Sequence, residues 1–259
     1  MDLGIRGRRA LVTGASKGLG RGCAEALAAA GVDLVIAARG AEALEAAAEA
    51  IRAAHGVSVA TVAADVASLD GQGRVIAEAE GVDILVTNVG GPPPGQWRDW
   101  GREEFQRALD ANMLAPVALI QALLPGMCDR GWGRVVNITS TSVKAPLGSL
   151  GLSTAARARL TGYVAGTSRA VARYGVTINN LLPGSHDTDR IRSLDEAAVK
   201  REGVTPEEIR ARRLAEIPVG RMGTPAEFGA MCAFLCSMHA GYIVGQNIAL
   251  DGGSTNLTL

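Results

Sequence analysis

Apolar positions alternate along the chain between two rhythms. Short, near-continuous apolar runs occur at "RRALVTGAS" (8–16), "VDLVIAAR" (32–39), "VSVATVAADV" (57–66), "VDILVTNVGG" (82–91), "GRVVNITSTS" (133–142), "VTINNLLPGS" (176–185) and "YIVGQNIALDGG" (242–253). Each reads as a buried strand. Between them lie stretches with helical spacing. "GLGRGCAEALAAAG" closes on Gly31, and "AEALEAAAEAIRAAHG" follows the second strand. "REEFQRALDANMLAPVALIQALLPGMCDRG" is a long helical pattern with Pro116 inside it, where a kink is expected. "TAARARLTGYVAGTSRAVARYG" ends at Gly175. Strands apolar on both faces, alternating with helices, predict a Rossmann-like doubly wound parallel β-sheet of the α/β class, covered by helices on both faces.

No repeat or long linker interrupts the pattern, so residues 1–259 are expected to form a single domain. "GGPPPG" (90–95) is rigid loop material, too short to separate domains. Residues 185–224 are polar, charged and poor in strand pattern, which predicts a helical lid between the last two strands.

Composition removes several alternatives. The net charge is +0 and aromatic residues make up 3%, which argues against nucleic acid as a partner. No continuous apolar stretch of about 18 residues is evident, so no membrane span is expected, and the start of the chain has no signal-peptide pattern. The four cysteines suit reduced thiols; Cys232 and Cys236 share one face of an apolar helix and read as small hydrophobes. A cytoplasmic location is the expectation.

The first strand–turn–helix unit carries candidate chemistry. "TGASKGLG" places Gly14, Gly18 and Gly20 around Ser16, Lys17 and Leu19, a turn that lets a pyrophosphate approach backbone N–H groups at a helix N-terminus. The second strand ends in "IAARG", with no acid to hold a free ribose 2′-hydroxyl. Arg39 and Lys17 instead favour a 2′-phosphate, so NADP(H) is expected in preference to NAD(H).

Taken together, these motifs resemble the short-chain dehydrogenase/reductase family, and within it the 3-oxoacyl-[acyl-carrier-protein] reductase branch, over nearly the whole chain. "AADV" matches the stretch that meets adenine, which implies Asp65 and Val66. "TNVG" stands for the family's NNAG and keeps Asn88 and Gly90. Asn112 in "DANMLAP" matches the asparagine of the catalytic tetrad. Ser140 in "NITS" matches its serine. "PGSHDT" matches the segment around the nicotinamide and implies Pro183, Gly184 and Thr188. The resemblance also implies a small carbonyl or alcohol substrate and a homotetramer or homodimer.

The tetrad's tyrosine and lysine are absent. Counting thirteen and then four residues on from Ser140, the positions hold Ser153 and Arg157. Tyr163 lies ten residues further along the same helix, about 15 Å away. Arg157 keeps a positive charge for the cofactor ribose, but serine is a poor proton source. Two replacement donors present themselves. Lys144 lies four residues after Ser140 and qualifies if desolvated beside Arg157. His186 lies beside the nicotinamide segment and titrates near neutrality. Three functions remain open: an oxidoreductase with a rebuilt proton donor, a catalytically inert dinucleotide-binding protein (a sensor or the partner of an active paralogue), and a non-redox lyase or isomerase on the same fold. Trp97, Trp100 and the lid arginines Arg190, Arg192 and Arg201 are further candidates for shaping the substrate pocket.

Overall fold

The computed structural model describes residues 1–257; the last two positions of the expected 1–259 domain lie outside the described residues. Seven parallel strands form one sheet in the order β3-β2-β1-β4-β5-β6-β7. They are β1 (Arg9–Thr13), β2 (Asp33–Ala38), β3 (Val59–Ala63), β4 (Ile84–Thr87), β5 (Gly133–Ile138), β6 (Val176–Pro183) and β7 (Asn247–Leu250). The order reverses between β1 and β4, so the crevice at their carboxyl ends is the point where a ligand is expected.

Helices cover both faces. On one face α1 (Gly18–Ala29), α2 (Ala41–His55) and α9 (Pro225–Leu235) pack over Val12, Ile36, Ile84, Val86, Val136 and Ile138. On the other, α3 (Leu69–Glu78), α5 (Ala115–Asp129) and α6 (Gly151–Val171) pack over Leu11, Val35, Leu85, Val135 and Ile178. The alternation of β-strand side chains divides each apolar run between these two cores, which is why the runs are continuous rather than alternating. Cys23, Cys232 and Cys236 are buried, unbridged core residues, as their apolar setting predicts.

The long helical pattern is broken, though not by a simple proline kink. After α4 (Arg102–Leu109) comes a π-helical turn, Asp110–Leu114, and then α5 with Pro116 in its first turn. Proline has no N–H to give the carbonyl four residues back, that of Asn112, so the wider turn forms just upstream. Asn112 sits in that turn. By length and composition Arg102–Asp129 is also apolar enough to cross a bilayer, contrary to the expectation of no such stretch. Its apolar residues Ala115, Leu119, Ile120, Leu123 and Met127 are spent on the sheet core.

The polar segment after β6 folds as two helices, α7 (Asp189–Glu202) and α8 (Pro206–Ala215). Their apolar content is low, and only Ile209 among their residues is buried. The segment is held at its base. Lys17 Nζ lies 2.8 Å from Asp189, and Thr188 lies over Gly18.

Candidate active site

The glycine-rich turn is built from backbone contacts. Gly14 has φ +60°, and a Cβ there would lie 2.6 Å from the Asn88 carbonyl oxygen. A Cβ on Gly20 would lie 2.3 Å from the Gly14 carbonyl oxygen. The Asn88 amide donates to that same carbonyl at 3.1 Å, and the Asn88 N–H donates to Thr13 Oγ1 at 2.9 Å. Thr13, in turn, donates to the Asn88 carbonyl. β1 and β4 are thereby locked together around the turn. Lys17 is the N-cap of α1 and makes no capping hydrogen bond, which leaves the first-turn N–H groups of α1 facing the crevice. Such a turn has the form of a pyrophosphate cradle, and its residues fit a nicotinamide dinucleotide.

Around the cradle the other expected residues take their places. Ser16, Gly18 and Leu19 are half-buried, and Arg39 is exposed at the end of β2 without a partner among the described residues. Asp65 is exposed and accepts from the Ala67 N–H, whereas Val66 is buried. Gly90 is exposed in the loop after β4. Pro183 ends β6, the Gly184 N–H donates to the Leu250 carbonyl, and Thr188 Oγ1 donates to the His186 carbonyl.

The tetrad positions converge at the carboxyl ends of β4 and β5. Ser140 Oγ accepts from the Ser142 N–H at 3.1 Å. Asn112 is buried, and its Oδ1 has no partner. Ser153 and Arg157 are adjacent on one face of α6, being four residues apart. Arg157 is only 8% exposed. Its Nε donates to Ser153 Oγ at 3.2 Å, its Nη1 to the Ile138 carbonyl at 2.6 Å and its Nη2 to the Val89 carbonyl at 3.3 Å. Burial, helped by the nearby charge of Arg190, pulls its pKa down to about 10. Asn112, Arg157, Thr87, Val89 and Ile138 line a small space of about 10 Å³.

Of the two expected proton donors, His186 is removed by its burial, and Lys144 keeps its place but not its desolvation. His186 is 3% exposed. Its ring stands edge-on to Phe228, with centroids 5.2 Å apart, and fills the space beside Gly223. It is therefore a packed core histidine between β6 and α9, out of reach of a substrate. Burial pushes its pKa below 6.5, against the opposing hydrogen bond to the Gly184 carbonyl. The unfolded chain accordingly takes up this proton more readily than the folded one. His186 thus contributes stability above pH 6.5 that is lost as pH falls through its lower folded value. The urea midpoint should fall between pH 7.5 and 5.5, and by less in His186→Leu; an equal fall in the variant would refute this placement. Lys144 corrects differently. It is exposed at the end of the short turn after Ser140, so the desolvation expected of it is missing.

The remaining candidates also separate. Tyr163 packs against the core behind α6. Trp100 anchors its loop against Leu152 and Ala156, whereas Trp97 is 72% exposed. In the segment after β6, Arg192 pairs with Asp187 and Asp189, and Arg201 with Glu202. Arg190 has no acid partner among the described residues. Its Nη2 donates to the Pro92 carbonyl at 2.6 Å.

Residues 14–255 match the family model described as enoyl-(acyl carrier protein) reductase. The chain belongs to the short-chain dehydrogenase/reductase family. It is 31% identical over 258 residues to the 3-oxoacyl-[acyl-carrier-protein] reductase of Aquifex aeolicus, covering 98% of this chain and 99% of that protein. It is 32% identical over 254 residues to the D-beta-hydroxybutyrate dehydrogenase of Cupriavidus necator, covering 96% and 98%. Among solved structures, L-sorbose reductase from Gluconobacter frateurii, complexed with NADPH and L-sorbose, superposes with a TM-score of 0.93 at 30% identity, covering 99% of this chain and 100% of that one. A 3-oxoacyl-(acyl-carrier-protein) reductase from Agrobacterium tumefaciens C58 with NADP bound gives 0.87 at 30% identity, covering 97% and 95%. This short-chain family member is thus an oxidoreductase with a nicotinamide-dinucleotide fold, and its relatives act on small molecules.

Proposed function

We propose that the protein is an NADP(H)-preferring reductase of a small carbonyl compound, or a dehydrogenase of the matching alcohol, working with a non-standard proton donor. One observation carries the cofactor preference. The acid that would hold a ribose 2′-hydroxyl is missing after β2, and exposed Arg39, unpaired among the described residues, stands there instead, with Lys17, paired to Asp189, in the glycine-rich turn. When bound, the dinucleotide supplies or accepts hydride at the carbonyl carbon. Ser140 and Ser153 offer hydroxyl groups to the substrate oxygen. Because Ser153 Oγ already accepts from Arg157 Nε, its own hydrogen is free to donate. Asn112 stiffens the π-turn behind them. Lys144, exposed beside Ser140, is the ammonium that returns a proton to the product alkoxide in place of the absent tyrosine.

A fluorescence titration tests the reading. NADPH should bind roughly 10- to 100-fold tighter than NADH, and Arg39→Ala should erase most of that difference without weakening NADH. Equal binding of the two would remove the NADP(H) preference. In a screen of small ketones, Lys144→Met should lower kcat by about tenfold or more. Tight NADPH binding with no turnover of any carbonyl would shift the assignment to an inert dinucleotide-binding protein.

A further inference from the structure

The two cations at the glycine-rich turn and the end of β2 are not equally free. Arg39 is exposed and makes no ion pair among the described residues, whereas the Lys17 ammonium lies 2.8 Å from Asp189 Oδ2 at the start of α7. The pair joins the turn after β1 to the segment after β6, on the other side of the point where the strand order reverses. Asp189 cannot follow Lys17 if Lys17 moves, because the backbone is held on both sides of it. Thr188 lies over Gly18 and donates to the His186 carbonyl, and Arg190 donates to the Pro92 carbonyl at 2.6 Å. Thr188, Asp189 and Arg190 thus tie α7 to the turn after β1 and to the loop after β4. Lys17 first, and then Arg192, hold the Asp189 carboxyl below its usual range. Both partners are also open to solvent, with side chains 71% and 51% exposed, so exchanging one partner for another costs little.

An ammonium has three N–H donors but one charge. A carboxylate and a phosphate dianion held on it together repel each other at close range, so one of them has to leave. Asp189 has another partner, since Arg192 already pairs with it and with Asp187 at 2.9 Å. The exchange therefore leaves no bare charge behind.

We infer that Asp189 sets the strength of the cofactor preference: it holds the Lys17 ammonium, and the 2′-phosphate of NADP(H) has to take that ammonium from it. This deepens the NADP(H) reading of the same site and rests on it. Asp189 is a positioning residue, acting through Lys17. In the parent protein Arg39 carries most of the discrimination, because Lys17 is already engaged. The 2′-hydroxyl of NAD(H) has no charge with which to compete, so that cofactor leaves the pair as it is.

The test is a fluorescence titration of the whole protein with NADPH and with NADH, and it needs no turnover. Asp189→Asn should tighten NADPH by about 2- to 5-fold, the range of an exposed ion pair, and leave NADH unchanged. Asp187→Asn is the control. It removes a like charge two residues away that pairs with Arg192 and not with Lys17, and it should leave the ratio of the two affinities where it was. In a Lys17→Met background, Asp189→Asn should have no effect on the ratio, which is the coupling that a double-mutant cycle reads. A melt confirms that each variant is folded, and Asp189→Ala repeats the measurement without the amide. A parent that prefers NADPH, with a ratio unmoved by Asp189→Asn, would overturn the inference and leave the NADP(H) reading standing. The same gain in the Lys17→Met background would overturn it too, because the effect would then be plain removal of a negative charge. Equal binding of NADPH and NADH by both the parent and Asp189→Asn would overturn the inference together with the NADP(H) reading.

Discussion

Restoring the two missing groups together, Ser153→Tyr with Arg157→Lys, is expected to raise NADPH-dependent reduction of a neutral ketone such as ethyl acetoacetate by about 10²–10⁴-fold, the usual worth of a positioned general acid. Ser153 and Arg157 already stand one turn apart on α6, joined by a 3.2 Å hydrogen bond, so the pair of new side chains inherits a formed geometry. Tyrosine alone should gain less. Its pKa of about 10 needs a nearby ammonium to fall toward neutrality, and Arg157 is occupied with Ile138 and Val89. Lysine alone should gain nothing, because serine remains the hydroxyl. Initial rates on all four proteins, with a melt to confirm folding, form a complete cycle. A folded double variant no faster than the parent would mean that the scaffold around Ser140 no longer presents a carbonyl to the cofactor.

The reach of the sequence differs sharply between cradle and catalytic centre. The cradle was legible because its requirements are backbone requirements. Gly14 and Gly20 are imposed by atoms of the main chain, and such positions leave one residue type. The strands were legible because burial on two faces permits few polar residues. The burial of the candidate proton donors was not legible, because spacing shows where a side chain begins and not where it goes. His186 sits beside the nicotinamide segment in sequence, yet its ring is buried edge-on against Phe228. Lys144 follows Ser140 on a turn that points it to solvent. Arg190 was one of several arginines in the segment after β6, with nothing in the sequence to single it out. It emerged from the partners its neighbours have and it lacks. The break in the long helix was signalled by Pro116, but its form as a π-turn, and its role in seating Asn112, depended on the fold around it.

Gly20→Ala should abolish dinucleotide binding within the measurable range, or weaken it by at least about tenfold, at a cost of roughly 1–3 kcal/mol in stability. The new methyl group would stand 2.3 Å from the Gly14 carbonyl oxygen and 2.7 Å from Asn88 Nδ2. The first is a backbone atom, and the second is a side-chain end held by its hydrogen bond to the Gly14 carbonyl. Moving the Gly14 carbonyl breaks its bond from Asn88, and Asn88 is itself tied to Thr13 by two further bonds. The strain therefore spreads from α1 through the turn to both β1 and β4, the two strands that frame the crevice. Gly162→Ala is the matched control. Gly162 lies within α6, and its added methyl would meet nothing within 4 Å. Alanine there should stabilise the helix by about 0.5–1 kcal/mol and leave cofactor binding unchanged. Opposite signs for the same substitution in two helices isolate close approach, rather than helix propensity, as the reason Gly20 must be glycine. Equal effects on NADPH binding would show that the turn after β1 is not where the pyrophosphate rests.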